Sequence, residues 1–212
     1  MLKLKVVVGS TRAGRGADRI LPWLVARAGA DGRFDVDVLD LRSWALLMFT
    51  ETVGTVGDPR NPSYSQPTVA DWNRTIGEGD AFLFVTPEYN HSIPAVLKNA
   101  IDTVFGSFAF RNKPAGTVAY SGGRIAGARA VEHLAVIAVE AEMVPLRNAV
   151  LIPTVLQAFN SDGSPRDPDT EAAADVLFDD LAWWAHALRL ARSRGELAPR
   201  AFRTMQASTT VG

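Results

Sequence analysis

The chain has 212 residues, 47% of them hydrophobic, a formal net charge of -1 and no cysteine. That is enough apolar material for one sizeable core, whereas two domains would each be marginal. The near-neutral charge gives no reason to expect nucleic acid or an acidic membrane as a partner, and the missing cysteines exclude disulfides, thiolate metal sites and a cysteine nucleophile.

Met1 to Lys5 runs straight into Val6-Val7-Val8, without the apolar core or small-residue cleavage site of a signal peptide. No stretch approaches the roughly 18 to 20 apolar residues of a membrane span, and a chain without cysteine fits a reducing compartment. A soluble, cytoplasmic protein with no membrane partner is expected. The first apolar run, Leu4 to Gly9, reads as a strand. A helical stretch begins near Gly16, with Ile20, Leu21, Leu24, Val25 and Ala28 at helical spacing and Pro22 close to the first turn. Phe34 to Leu41 alternates, which predicts an edge-type strand with one wetter face.

Trp44 to Pro67 loses period and gathers Gly, Pro, Thr and Asn, as a long loop does. A helix over about 68–77 precedes Ala81 to Thr86, a continuous apolar run typical of a strand covered on both faces. Helices are expected over 95–105 and 127–143, strands over 115–120 and 149–152, and a last helix over 169–191. Residues 1–195 are read as one domain and 196–212 as a tail that is mobile or docks on a partner subunit. Alternating strands and helices predict a doubly wound α/β sandwich of three layers, its five parallel strands in the order 2-1-3-4-5.

Ligands of such sheets bind at the carboxyl edge, and three loops fall there. Gly9 to Gly16 offers hydroxyls from Ser10 and Thr11, a guanidinium fork from Arg12, and glycines that expose backbone N–H groups before a helix amino terminus. It is neither a Walker A loop nor a Gly-x-Gly-x-x-Gly fingerprint, so a mononucleotide's phosphate is expected. Thr86 to Pro94 leaves a buried strand and is stiffened by proline at both ends. Its backbone groups, with Tyr89 and Asn90, suit a flat heteroaromatic ring, while Glu88 either orients amides or is a solvated carboxylate. His91 is placed near no partner carboxylate by sequence and is not assigned a catalytic role. Tyr120-Ser121-Gly122-Gly123-Arg124 forms the third loop, its glycines permitting close backbone approach.

Together these segments resemble the NADPH-dependent FMN reductase family of flavodoxin-like proteins. The most specific match is Thr86-Pro-Glu-Tyr-Asn-His-Ser-Ile-Pro-Ala-Val-Leu-Lys-Asn-Ala-Ile-Asp102, and Gly9 to Arg12 and Ser121 to Gly123 match in order and spacing. The likeness covers roughly the first 155 residues. It implies a flavodoxin-like fold with FMN phosphate on Ser10, Thr11, Arg12, Arg15 and Gly16. The isoalloxazine would lie against Pro87, Glu88, Tyr89 and Asn90, flanked by Ser121, Gly122 and Gly123.

The resemblance also implies hydride transfer from NADPH or NADH through FMN to a flavin, quinone or similar small-molecule acceptor. No catalytic side chain and no metal are needed, because the cofactor carries the chemistry. Homodimers are usual in the family and tetramers occur. Arg15 and Arg124 are the candidates for the NADPH 2′-phosphate. Two alternatives are a reductase that releases reduced FMN to a monooxygenase and a flavodoxin-type electron carrier; the net charge of -1 argues against the second, since carriers of that type dock through strong acidity. Two stretches depart from the family: Thr103 to Phe110, where a tryptophan and later an acidic residue are usual, and Leu41 to Glu51, where Leu-Pro and acidic residues are usual. Trp44, Leu46, Leu47, Met48 and Phe49 of the second stretch are expected to form an interface or pocket wall.

Overall fold

Apolar runs form the strands here because a parallel sheet covered on both faces buries side chains of both parities. The computed structural model describes residues 1–199 and 203. β1 (Leu2–Val8) leads to α1 (Ala17–Ala30), β2 (Phe34–Asp40), the short α2 (Leu41–Trp44) and α3 (Val53–Val56), and α4 (Pro67–Gly77). β3 (Ala81–Pro87), α5 (Ala95–Asp102), β4 (Pro114–Tyr120), α6 (Ala128–Glu140), β5 (Val144–Ile152) and α7 (Pro168–Ser193) follow. All pairings are parallel and the order is β2-β1-β3-β4-β5, as the alternation of elements predicts.

Strand parity divides the core in two. Leu4, Val6 and Val8 of β1 and Leu83 and Val85 of β3 pack with Leu24 of α1 and Phe178 and Leu181 of α7. Val7, Phe82 and Phe84 face the other way, onto Trp72 of α4, Leu97 of α5 and Leu134 of α6. Two helical layers thus clamp the sheet and leave its carboxyl edge to the loops. No helix among the described residues is long and apolar enough to cross a membrane.

Several expected boundaries move, each for a physical reason. The stretch 44–67 carries a turn of helix, α3, within the expected loop. α5 stops at Asp102 because Asn73 Nδ2 donates to the Thr103 carbonyl at 2.9 Å, and the Ser107 hydroxyl takes the Val104 carbonyl at 3.2 Å. β5 begins at Val144, ahead of the expected 149. Its first half contains Pro145 and exposed Arg147 and lies beside a register shift at Ala115/Thr117, so it lacks an apolar run. Pro22, expected close to the first turn, is the sixth residue of α1 and removes one helical hydrogen bond. Of the expected tail, Glu196 Oε1 accepts from Asn112 Nδ2 at 2.9 Å and the Leu197 carbonyl accepts from Arg111; 200–202 and 204–212 lie outside the described residues.

Candidate functional site

The loop from β1 to α1 crosses the carboxyl edge with Ser10 buried and Thr11 and Arg12 exposed. Its geometry demands glycine at position 16, where a Cβ would lie 2.7 Å from Val155 Cγ1 and 2.8 Å from Tyr120 Cε2. No side chain caps α1, whose first turn therefore keeps its positive end available to an anion. Arg15 turns inward. Its Nη2 pairs with Asp40 Oδ2 at 2.5 Å and its Nε with Asp18 Oδ1 at 2.8 Å, while Nη1 donates to the Ser10 carbonyl. The hydrogen bonds from Arg15 hold the Asp40 carboxyl below the usual carboxylate range, against the opposing effect of its own partial burial. Arg42 donates to the Arg12 carbonyl and braces the loop from outside.

The loop after β3 meets the first one through side chains. Ser10 Oγ and Tyr89 Oη are 2.9 Å apart, and the Arg12 guanidinium stacks over the Tyr89 ring, 3.7 Å from its centroid. Pro87 is buried, Glu88 and Tyr89 are half-buried and Asn90 is exposed. The Glu88 carboxylate reaches Arg129 on α6, with Oε1 2.7 Å from Nε and Oε2 accepting the Arg129 backbone N–H at 3.3 Å. Glu88 is therefore not a solvated carboxylate.

In the third loop the Ser121 hydroxyl donates to the Gly123 carbonyl at 2.9 Å, and Gly122 and Gly123 are exposed, with open space where a Cβ would stand. Beneath the first loop, the Tyr120 hydroxyl is buried, faces Ser10 and the Ala17 backbone, and has no hydrogen-bond partner among the described residues. Burial, then the neighbouring Tyr89, pushes its pKa up, so it remains a neutral donor.

The fold thus brings the anticipated loops to one edge and joins the first two directly. Thr11, Arg12, Asn90, Gly122 and Gly123 are exposed at this edge, Tyr89 is half-buried and Ser10 is buried. The Arg15 guanidinium is engaged with Asp40, Asp18 and the Ser10 carbonyl, and it braces the loop from within; Arg124 is exposed. Sequence reasoning missed Asp40, Arg42 and Arg129, and it named Tyr120 in the third loop without foreseeing its buried hydroxyl. It also missed Asn99, which accepts from the Phe49 N–H at 2.8 Å and donates to the Leu47 carbonyl at 2.9 Å, pinning the rim loop to α5. The apolar rim is not all one wall: Trp44 packs edge-on against Trp72 at 5.1 Å and Leu46 joins the same core, whereas Leu47 and Met48 project into solvent. A cavity of about 850 Å³ elsewhere is lined by Phe108, Arg111, Lys113 and Arg192 and by none of the three loops.

Comparison with known proteins places these residues in context. The profile of the family described as NADPH-dependent FMN reductase matches residues 2–157. An NAD(P)H-dependent FMN reductase of Schizosaccharomyces pombe is 34% identical over 125 residues, which span 57% of this chain and 58% of the yeast protein's length. A 2-hydroxy-1,4-benzoquinone reductase of a Burkholderia species is 28% identical over 201 residues, 89% of this chain and 99% of that protein. Among solved structures, the flavoenzyme NAD(P)H:(acceptor) oxidoreductase FerB of Paracoccus denitrificans superposes with a TM-score of 0.67 at 25% identity, covering 88% of this chain and 98% of its own.

Proposed function

Since the chain belongs to the NADPH-dependent FMN reductase family, we propose that it is an FMN-dependent NAD(P)H oxidoreductase that reduces a flavin, a quinone or a similar small acceptor. The observation that carries this reading is the joining of an anion-ready loop to the Tyr89 loop through the Ser10–Tyr89 hydroxyl pair at 2.9 Å. The residues fit FMN. Ser10, Thr11 and Arg12 beside the uncapped start of α1 would hold the phosphate, and the buried, unpartnered Tyr120 hydroxyl is a spare donor under the same loop.

Pro87 to Asn90 would set the plane of the ring, and the exposed Gly122 and Gly123 would leave room beside it. Bound there, FMN would accept hydride from the nicotinamide and pass it to the acceptor. The protein's own tasks are to bind, to orient and to leave one side open. With its guanidinium on Asp40 and Asp18, Arg15 stiffens the phosphate loop instead of gripping a ligand. Arg124 is an exposed cation available to an NADPH 2′-phosphate.

Homodimerisation belongs to the same reading. Phe105 is 55% exposed and Val136 72%, and both line an apolar cavity of about 240 Å³ between α5 and α6, a patch that a second copy would cover. Cytoplasmic residence is proposed from the absence of cysteine.

The test is spectroscopic. Purified protein supplied with FMN is mixed anaerobically with NADPH or NADH, and bleaching of the flavin absorbance followed by recovery on adding a quinone is expected. A yellow protein that neither nicotinamide bleaches refutes the proposal. Retention of FMN through gel filtration separates direct acceptor reduction from release of reduced FMN.

A further inference from the structure

The loop after β3 closes as a two-residue hairpin. Tyr89 and Ser92 exchange backbone hydrogen bonds of 2.9 and 3.1 Å, and the residues between them, Asn90 and His91, hold φ of +49° and +68°. This backbone normally selects glycine. Asn and His both adopt it more readily than other side chains, yet it stays strained for each. A contact outside the turn must offset that strain.

The first two turns of α6 supply it. Arg129 spans the hairpin: its Nε meets Glu88 Oε1 at 2.7 Å and its Nη1 meets His91 Nε2 at 2.7 Å. One turn on, His133 Nδ1 lies 3.0 Å from Ser92 Oγ. The Glu88 side chain is only 7% exposed, whereas the Arg129 side chain keeps 37% of its surface in water. The start of α6 is itself fixed, because Gly127 at φ +88° presses against β4, where a Cβ would fall 2.7 Å from Ala119 Cβ and 2.8 Å from the Tyr120 nitrogen. The clamp therefore ties the loop after β3 to the end of β4, the strand from which the third loop leaves.

We propose that Arg129 is a positioning residue: by gripping Glu88 and His91 together it holds the hairpin in the shape that receives the flavin ring. This rests on the FMN reading above. Because the grip acts on the ring loop and not on the phosphate loop, it governs affinity for the ring whether or not a phosphate is attached. A lysine at 129 can pair with Glu88 but lacks the guanidinium fork that also reaches His91.

Wild type, Arg129→Ala, Arg129→Lys and Glu88→Gln are titrated with FMN and with riboflavin by flavin fluorescence. Amide hydrogen exchange over 88–92 is followed without ligand. Arg129→Ala is expected to weaken both flavins by the same factor, about tenfold to a hundredfold as for loss of a charged hydrogen-bonded contact, and to speed exchange at Tyr89 and Ser92. Arg129→Lys should recover part of both losses, and Glu88→Gln should weaken both flavins alike.

Binding within twofold of wild type by Arg129→Ala overturns the proposal. So does a loss confined to FMN with riboflavin unaffected, which would put Arg129 at the phosphate. If the wild type takes up neither flavin, the FMN reading fails; unchanged exchange in Arg129→Ala would then independently overturn the clamp.

Discussion

At Ser10 a single hydroxyl serves two loops, and its proton has a direction once an anion is present. A phosphate dianion can only accept, so on the proposed reading Ser10 Oγ would donate to it and in turn accept from Tyr89 Oη, 2.9 Å away. Ser10→Ala should therefore weaken FMN about tenfold to a hundredfold, the usual effect of losing a hydrogen bond to a charged group, while riboflavin affinity stays near wild type. Arg12→Ala should weaken FMN by a similar factor and riboflavin by a smaller one, because Arg12 also stacks over the ring of Tyr89. Fluorescence titration with both flavins measures the ratio directly. The contrast with Arg15 lies in tertiary placement. On paper both arginines belong to one glycine-rich loop. In space Arg15 finds Asp40, at the end of β2, and is 6% exposed, whereas Arg12 is left on the surface.

Between elements, Lys113 makes the most consequential polar contact. It stands just before β4, is 6% exposed, and its Nζ donates to the carbonyls of Ile76 at 3.2 Å and Gly77 at 2.9 Å, closing the carboxyl end of α4. Burial, with Arg192 and Lys5 adding to it, pushes the ammonium from its ordinary 10.5 down to about 7, against the pull of Asp80 and Glu196. The unfolded chain keeps this proton up to its ordinary value, while the folded chain releases it above about 7. Between those values the unfolded state binds more protons, so this residue makes stability rise with pH, by up to about 1.4 kcal/mol per pH unit, and level off below pH 7. Urea denaturation from pH 6 to about pH 10 should show that rise, and Lys113→Met should flatten it. Asn99 plays a comparable part between α5 and the rim. Nothing in a helical run announced it, because its partners are backbone groups of Leu47 and Phe49, some fifty positions upstream.

Over the whole molecule, exposed apolar surface lies on both sides of the sheet, with Trp183 (66%) and Leu190 (53%) on α7 opposite the patch around α5 and α6. Phe105, Val136 and Val139 are more than half exposed around α5 and α6, and Leu47 and Met48 project from the rim loop. If a second copy covers Phe105 and Val136, light scattering should give twice the monomer mass across concentrations, and Val136→Asp should shift the population to monomer without lowering Tm in the monomeric form. A wild-type monomer at all concentrations would remove the dimer from the proposal.

By itself the sequence determined the layered α/β class, the strand order and the loops at the carboxyl edge. The class and the loops follow from strand and helix periods and local turn chemistry, which act over a few neighbouring residues, and the strand order was expected from the doubly wound class. The Thr86 to Asp102 segment also carried the family. Only the tertiary structure decided which arginine faces outward, that Glu88 is engaged with α6, that Tyr120 keeps an unused hydroxyl beneath the first loop, and that Arg129 and His133 hold the hairpin. Each depends on pairing groups from separate elements. Charge and hydrogen-bond partners are chosen by distance in space, and residue type and spacing along the chain do not encode that distance.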